Sequence, residues 1–271
     1  MASPFFAPVP QWDMSKAKAF LRDHKLEEYT LLDVRQPDEF ASGHLPGATS
    51  IPLSELPQRV GELERDKRLL VYCRSGGRAG NAVAFLHQAG LTEAVNIGGT
   101  MQYDGLVATG PPEAGMAIFD AARGPEDYIA LAWLLEEGAR AFYVEWAERL
   151  PEHRGILEEL ATGEEHHKAA LQKLYAELTG RDETPSLSDP SEAADLMEGG
   201  IPRKEAMAWL EGKGPADLFE FTAAMEANAH DRYLRLGQQL GGAAQRVFSE
   251  IAEAEKVHLD RLLAAFQKAL T

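Results

Sequence analysis

Two groups of residues have the types and spacing to do chemistry. The first is the run Cys73-Arg74-Ser75-Gly76-Gly77-Arg78, which sets the chain's single cysteine beside two glycines and two arginines. Gly76 and Gly77 let the backbone curl until successive amide N–H groups point inward, and a helix starting there adds partial positive charge. Such a cradle favours an anion. With Arg74 and Arg78 adding permanent charge, the thiol pKa of Cys73 should fall and expose a thiolate nucleophile. A buried, inert cysteine ending a core strand is the competing reading, but ordinary strand ends have little use for two glycines and two arginines. Phosphatase chemistry also sets Cys and Arg around a cradled oxyanion, so the run by itself leaves that chemistry open.

The second group is doubled. Glu164 and His167 are three residues apart, as are Glu255 and His258; at about 100° per residue both members of each pair share a helix face. A single Glu-x-x-His is weak evidence, since such pairs usually belong to a solvated surface. Here each pair has a companion: EEGARAFY from Glu136 and EANAHDRY from Glu226 repeat Glu, Ala and Tyr at the same offsets, 90 residues apart. Together Glu136, Glu164, His167, Glu226, Glu255 and His258 offer four carboxylates and two imidazoles, a donor set suited to a dinuclear metal centre in a helix bundle. Burying so many acids without a cation would be strongly unfavourable. Oxygen-rich ligation with two imidazoles suits iron or manganese, although zinc could occupy the site. Tyr143 and Tyr233, two turns beyond Glu136 and Glu226, could hydrogen-bond the carboxylates or simply fill the core.

Different elements must position the two groups. In the first half, β-rich runs YTLLDV (29–34), ATSIPL (48–53), RLLVYC (68–73) and EAVNIG (93–98) alternate with helical stretches, the pattern of an α/β parallel sheet with flanking helices. Cys73 then lies at the carboxyl end of a strand, where such sheets place ligands. From Pro125 long helical patterns take over, at about 125–150, 152–179, 215–240 and 243–270. The midpoint of Glu136 and Glu164 falls beside Leu150-Pro151, and that of Glu226 and Glu255 at Gly241-Gly242, both helix breakers. In an antiparallel hairpin that symmetry puts each pair of acids at one depth. Residues 180–214 are long enough to return along a whole bundle, with two short helices expected inside; four helices joined by one long crossover resemble the ferritin-like arrangement. The Gly- and Pro-rich segment 105–115 marks a boundary, dividing the chain into 1–112 and 113–271.

The stretches LLDVRQPDEFASGHLPGATSIPL (31–53), LLVYCRSGGR (69–78) with the helix after it, and AVNIGGTMQYDG (94–105) make residues 10–112 resemble a rhodanese domain. The resemblance implies a sulfurtransferase in which Cys73 takes sulfane sulfur from thiosulfate or a persulfide, holds it as a persulfide and passes it to a thiophilic acceptor. Four residues separate Cys73 from Arg78, matching the six-residue loops of sulfur-transferring members, whereas the phosphatase relatives have one residue more. Asp33, Arg35 and His44 belong to the family's recognisable stretch and are expected to serve the scaffold. Tyr103 stands where the family usually has Trp, a departure that bears on packing.

Residues 120–271 resemble the rubrerythrin branch of the ferritin-like superfamily, through EEGARAFY, ATGEEHHKAAL, MEANAHDRY and IAEAEKVHLDRL. This resemblance implies a non-haem di-iron site on the six residues above, reactive toward peroxide or dioxygen. Such proteins usually carry a rubredoxin-type cysteine module. With Cys73 alone this chain cannot, so an external electron donor is implied. The family also tends to have a further carboxylate one turn along the third helix, where Ala229 and then His230 stand; whether His230 is a ligand stays open.

Composition bounds these readings. Of 271 residues, 45% are hydrophobic and 26% charged, as in ordinary globular chains. The net charge of −16 repels nucleic-acid backbone and anionic membrane surface. No leader or spanning segment is read, so a cytoplasmic protein is expected. One cysteine excludes an intrachain disulfide. Small sulfur donors and thiol acceptors are the expected partners, and a homodimer the expected assembly. Two other functions compete: a peroxidase or oxidase served by the first domain, and a non-enzymatic metal-binding module for dimerisation or sensing.

Overall fold

Residues 68–73 form a strand because their alternation is overridden by burial on both faces: Leu69, Leu70, Val71, Tyr72 and Cys73 are all buried, as a central parallel strand requires. A computed structural model describes residues 9–113, 116–120, 122–187 and 195–269. Two compact units divide it, Met1–Pro112 and Glu113–Thr271.

The first unit is a four-stranded parallel sheet of β1 (Tyr29–Asp33), β2 (Thr49–Ser50), β3 (Arg68–Cys73) and β4 (Ala94–Gly99), in the order β2-β1-β3-β4. Its α-helices are α1 (Met14–Asp23), α2 (Pro37–Ala41), α3 (Leu56–Arg59) and α4 (Gly77–Gln88). Strand β2 is shorter than ATSIPL suggests. It lies at an edge and Pro52 has no N–H to donate, although Ile51 and Leu53 still donate to Asp33 and Val34 at 3.0 and 3.2 Å. Leu32, Val34, Ile51, Val71, Val83 and Leu86 belong to one apolar core between sheet and helices.

The second unit is largely helical. Its long helices are α5 (Pro125–Arg149), α6 (Arg154–Thr179), α8 (Pro215–Leu240) and α9 (Gly242–Ala269), with the short α7 (Arg203–Leu210) in the connection between α6 and α8. Pro125 and Pro215 sit in the first turns of α5 and α8, where no helical N–H is lost. Leu150-Pro151 ends α5, and Gly241, at φ +66°, ends α8. Helix α5 packs on α6, α8 on α9, and α6 meets α9, so the unit is two helical hairpins laid together.

The connection departs from the expected pair of short helices. Among its described residues α7 is the one α-helix, and before it runs a hairpin of β5 (Leu196–Met197) and β6 (Ile201–Pro202). Gly199 and Gly200 reverse the chain at φ +85° and +68°, values that suit glycine and cost other residues strain. The remainder of that expectation, 188–194, lies outside the described residues. Among the described residues no helix is long and apolar enough to cross a membrane.

Candidate functional site

At the end of β3 the chain turns over Gly76, held at φ +98°, and enters α4 at Gly77. Glycine is required here twice over, for that backbone conformation and because Gly99 of β4 presses against the Arg74–Ser75 backbone, where any Cβ would collide. Asn96 ties the loop down, donating from Nδ2 to the Gly76 carbonyl at 3.1 Å while its Oδ1 accepts from Gly98 N at 2.9 Å. Cys73 Sγ lies at the floor of this loop and accepts from Gly76 N at 3.1 Å.

Two details differ from the sequence reading. Cys73 is only 1% exposed, so its sulfur is recessed rather than displayed. Burial pushes the thiol pKa up, but the backbone N–H groups of Ala79, Ser75, Gly76 and Arg78 outweigh it and the net shift is downward. The amide part of the expected cradle is thus what outweighs burial at the thiol. Arg78 is drawn into a two-pronged ion pair with Glu39 of α2, at 2.6 and 2.7 Å. Hydrogen bonding to Arg78 outweighs partial burial and lowers Glu39 to about 2. Arg74 and Ser75 are exposed on the loop's outer side and Gly77 opens the helix. Asp33 and Arg35 pair at 2.6 Å, Arg35 also donates to the Gly43 carbonyl at 2.7 Å, and His44 stacks on Phe40. These three brace the turn after β1.

In the second unit Glu136, Glu164, His167, Glu226, Glu255 and His258 converge in the interior, the four carboxylates 0% exposed. His167 Nδ1 lies 3.1 Å from Glu136, 3.3 Å from Glu164 and 3.0 Å from Glu255. His258 Nδ1 lies 3.5 Å from Glu255, and the two imidazole rings are 5.3 Å apart. Ligand atoms of Glu136, Glu164, His167 and Glu255 gather within 4.8 Å of one another, and so do those of Glu164, Glu226 and His258. Glu164 thus belongs to both gatherings, and Glu255 also groups with Glu226 and, separately, with His258. The tyrosine hydroxyls cross between hairpins: Tyr143 donates to Glu226 and Tyr233 to Glu136.

The donor set fits divalent cations. Burial, then mutual repulsion among the acids, raises the pKa of Glu164 and Glu226 well above the carboxylate range. Glu255 goes the other way despite its burial, because His167 stands beside it. Both oxygens of Glu164, one of Glu226 and His258 Nδ1 are buried without a well-formed hydrogen bond, which is the condition of ligand atoms aimed at a metal. His230 stands outside these gatherings, buried and with its pKa lowered to about 4, first by desolvation and then by Lys256.

Sequence reasoning passed over Glu39, Asn96, Gly163 and Glu198. The hairpin signal that could have found the last is Gly199-Gly200 between Leu196-Met197 and Ile201-Pro202.

Comparison with known proteins bears on the first unit. Residues 14–104 match the rhodanese-like domain. Over 78 residues the chain is 44% identical to the uncharacterized protein YqhL of Bacillus subtilis, covering 28% of this chain and 62% of that one. It is 38% identical over 73 residues to a sulfurtransferase of Allochromatium vinosum, 27% and 68% of the respective chains. With the thiosulfate sulfurtransferase PspE of Escherichia coli it shares 37% over 70 residues, 25% and 67% of the respective chains. Among solved structures, a rhodanese-related protein from Thermoplasma volcanium is 36% identical, with a TM-score of 0.29, covering 33% of this chain and 85% of that one. Through residues 14–104, the chain belongs to the rhodanese-like family.

Proposed function

We propose that this chain is a sulfurtransferase that carries sulfane sulfur as a persulfide on Cys73, joined to a rubrerythrin-like, ferritin-like four-helix bundle holding a dinuclear metal centre, with iron the metal of choice. The observation that carries the first part is the recessed Cys73 sulfur held in inward-pointing backbone N–H groups. The thiolate attacks the outer sulfur of thiosulfate; the S–S bond of the donor breaks and sulfite leaves with the electron pair. A thiol or cyanide acceptor then attacks the terminal sulfur of the persulfide, and Cys73 departs as thiolate. The same amides that lower the thiol pKa serve both departures, since each places negative charge in the loop.

For the second part, Glu136, Glu164, His167, Glu226, Glu255 and His258 would hold the metals, with Glu164 and Glu255 each belonging to more than one ligand-atom grouping. Bound iron would supply redox chemistry toward dioxygen or peroxide. The protein's own residues orient the donors: Tyr143 and Tyr233 fix the Glu226 and Glu136 carboxylates by hydrogen bonds, and complete burial of the four carboxylates keeps bulk water from them. Electrons come from an external donor, because one cysteine builds no internal dithiol relay.

Incubation with thiosulfate followed by intact-mass measurement should reveal one added sulfur atom, absent from Cys73→Ser, which should also lose thiosulfate:cyanide transfer while keeping its metal content. Transfer at the unsubstituted rate in Cys73→Ser would refute the first part. Unchanged iron content in both Glu164→Ala and Glu255→Ala would refute the second.

A further inference from the structure

The geometry points to Glu198, carried on the connection between α6 and α8, as a seventh donor to the metal centre, binding the ion at the end formed by Glu226 and His258. This inference rests on the dinuclear reading above and deepens it.

Glu198 is 0% exposed, and neither of its carboxylate oxygens has a hydrogen-bond partner. Burial and the nearby Glu136 and Glu255 carboxylates oppose its charged form, while His167 and the buried Arg232 of α8 favour it only through space. A carboxyl group sealed from water with nothing to accept from or donate to is strongly disfavoured unless something else meets it. Its surroundings say what that is. A Glu198 oxygen gathers with one from Glu226 and one from Glu255 within 4.8 Å. Those two neighbours are already ligand candidates. Helix α8 offers a single carboxylate at this end, since the position one turn on from Glu226 is the buried Ala229. The connection provides another.

The backbone is built to bring it there. Gly138 of α5, two residues beyond Glu136, has no Cβ, and any Cβ at that position would collide with the Leu196 carbonyl oxygen of β5. The hairpin therefore lies directly on the helix. Met197 anchors it at 0% exposure, and Gly199 and Gly200 turn the chain back immediately after Glu198. Glycine at 138 and glycines at 199 and 200 serve one outcome, which is to insert a carboxylate from outside the four long helices.

The test is anaerobic Fe(II) binding to the metal-stripped full chain by equilibrium dialysis, comparing the unsubstituted protein, Glu198→Gln, Glu164→Ala and Glu255→Ala. The expected result is two ions bound by the unsubstituted chain, with Glu198→Gln binding the first equally well and the second at least about tenfold more weakly. Metal-free Glu198→Gln should melt no lower than the unsubstituted chain, because an amide relieves the repulsion among buried acids. Two ions at undiminished affinity in Glu198→Gln, or a lower metal-free melting temperature that marks Glu198 as a structural group, overturns the assignment and leaves the dinuclear reading standing. An unsubstituted chain that binds no Fe(II), or unchanged binding in both Glu164→Ala and Glu255→Ala, removes the dinuclear reading and Glu198 with it.

Discussion

Gly163 of α6 lies against the His258 imidazole of α9, so closely that a Cβ on residue 163 would overlap the ring's Cε1 and Nε2 atoms. Glycine inside a helix costs about 1 kcal/mol relative to alanine, and here it makes room for the His258 ring one residue before Glu164. Gly163→Ala should therefore raise the intrinsic helix preference yet displace His258, lowering iron content while helicity by circular dichroism is retained. Unchanged iron content would show that the ring has another place to go.

Cys73 supports a pH prediction. The thiolate is the deprotonated form, and because the backbone amides outweigh burial its pKa lies below the ordinary thiol value. The rate of iodoacetamide alkylation should therefore rise with pH to a midpoint below that value. Gly76→Ala, which strains a backbone at φ +98° and disturbs the amide at Sγ, should shift the midpoint upward and reduce sulfur transfer. An identical midpoint in both proteins would contradict the role given to the amides.

Arg78 and Glu39 test whether fork geometry matters as well as charge. Arg78→Lys keeps the positive charge but cannot form the two-pronged contact, so the start of α4 loses its tie to α2. A several-fold fall in kcat/KM for thiosulfate is expected. Glu39, lowered to about 2, stays ionised above that pH. The pair's contribution is thus fully present above the ordinary carboxylate range and lost only as pH falls toward 2.

The two tyrosines should act alike. Tyr143→Phe and Tyr233→Phe each remove one hydrogen bond to a buried carboxylate, and a loss of about tenfold or more in iron affinity is expected for each. Equilibrium dialysis checks this, and rhodanese-type transfer by the same variants should be unchanged.

Much of the candidate site's arrangement was legible because periodicity and spacing encode it. The Glu-x-x-His pairs reveal a shared helix face without coordinates, and the turns at Leu150-Pro151 and Gly241-Gly242 could be located from the symmetry of the acids about them. The loop after β3 was legible from its glycines. Its inward-pointing amides follow from the same glycines, whereas the engagement of Arg78 elsewhere does not. Arg78 looked free until Glu39, 39 residues earlier, was seen beside it. Glu198 was overlooked because it repeats no motif, lies in a connection, and resembles any solvated acid in a chain with 43 of them.

By itself the sequence determined the types of the main strands and the four long helices, the strand-end position of Cys73 and the faces on which six ligand candidates stand, because these follow from local propensity and helical period. Tertiary structure alone decided which charges meet: that Arg78 answers Glu39, that Gly163 admits His258, and that Gly138 lets a connecting hairpin set Glu198 among the buried acids. The physical reason is that electrostatic partners and close backbone approaches act over ångströms in space between residues tens of positions apart, and no local pattern records that distance.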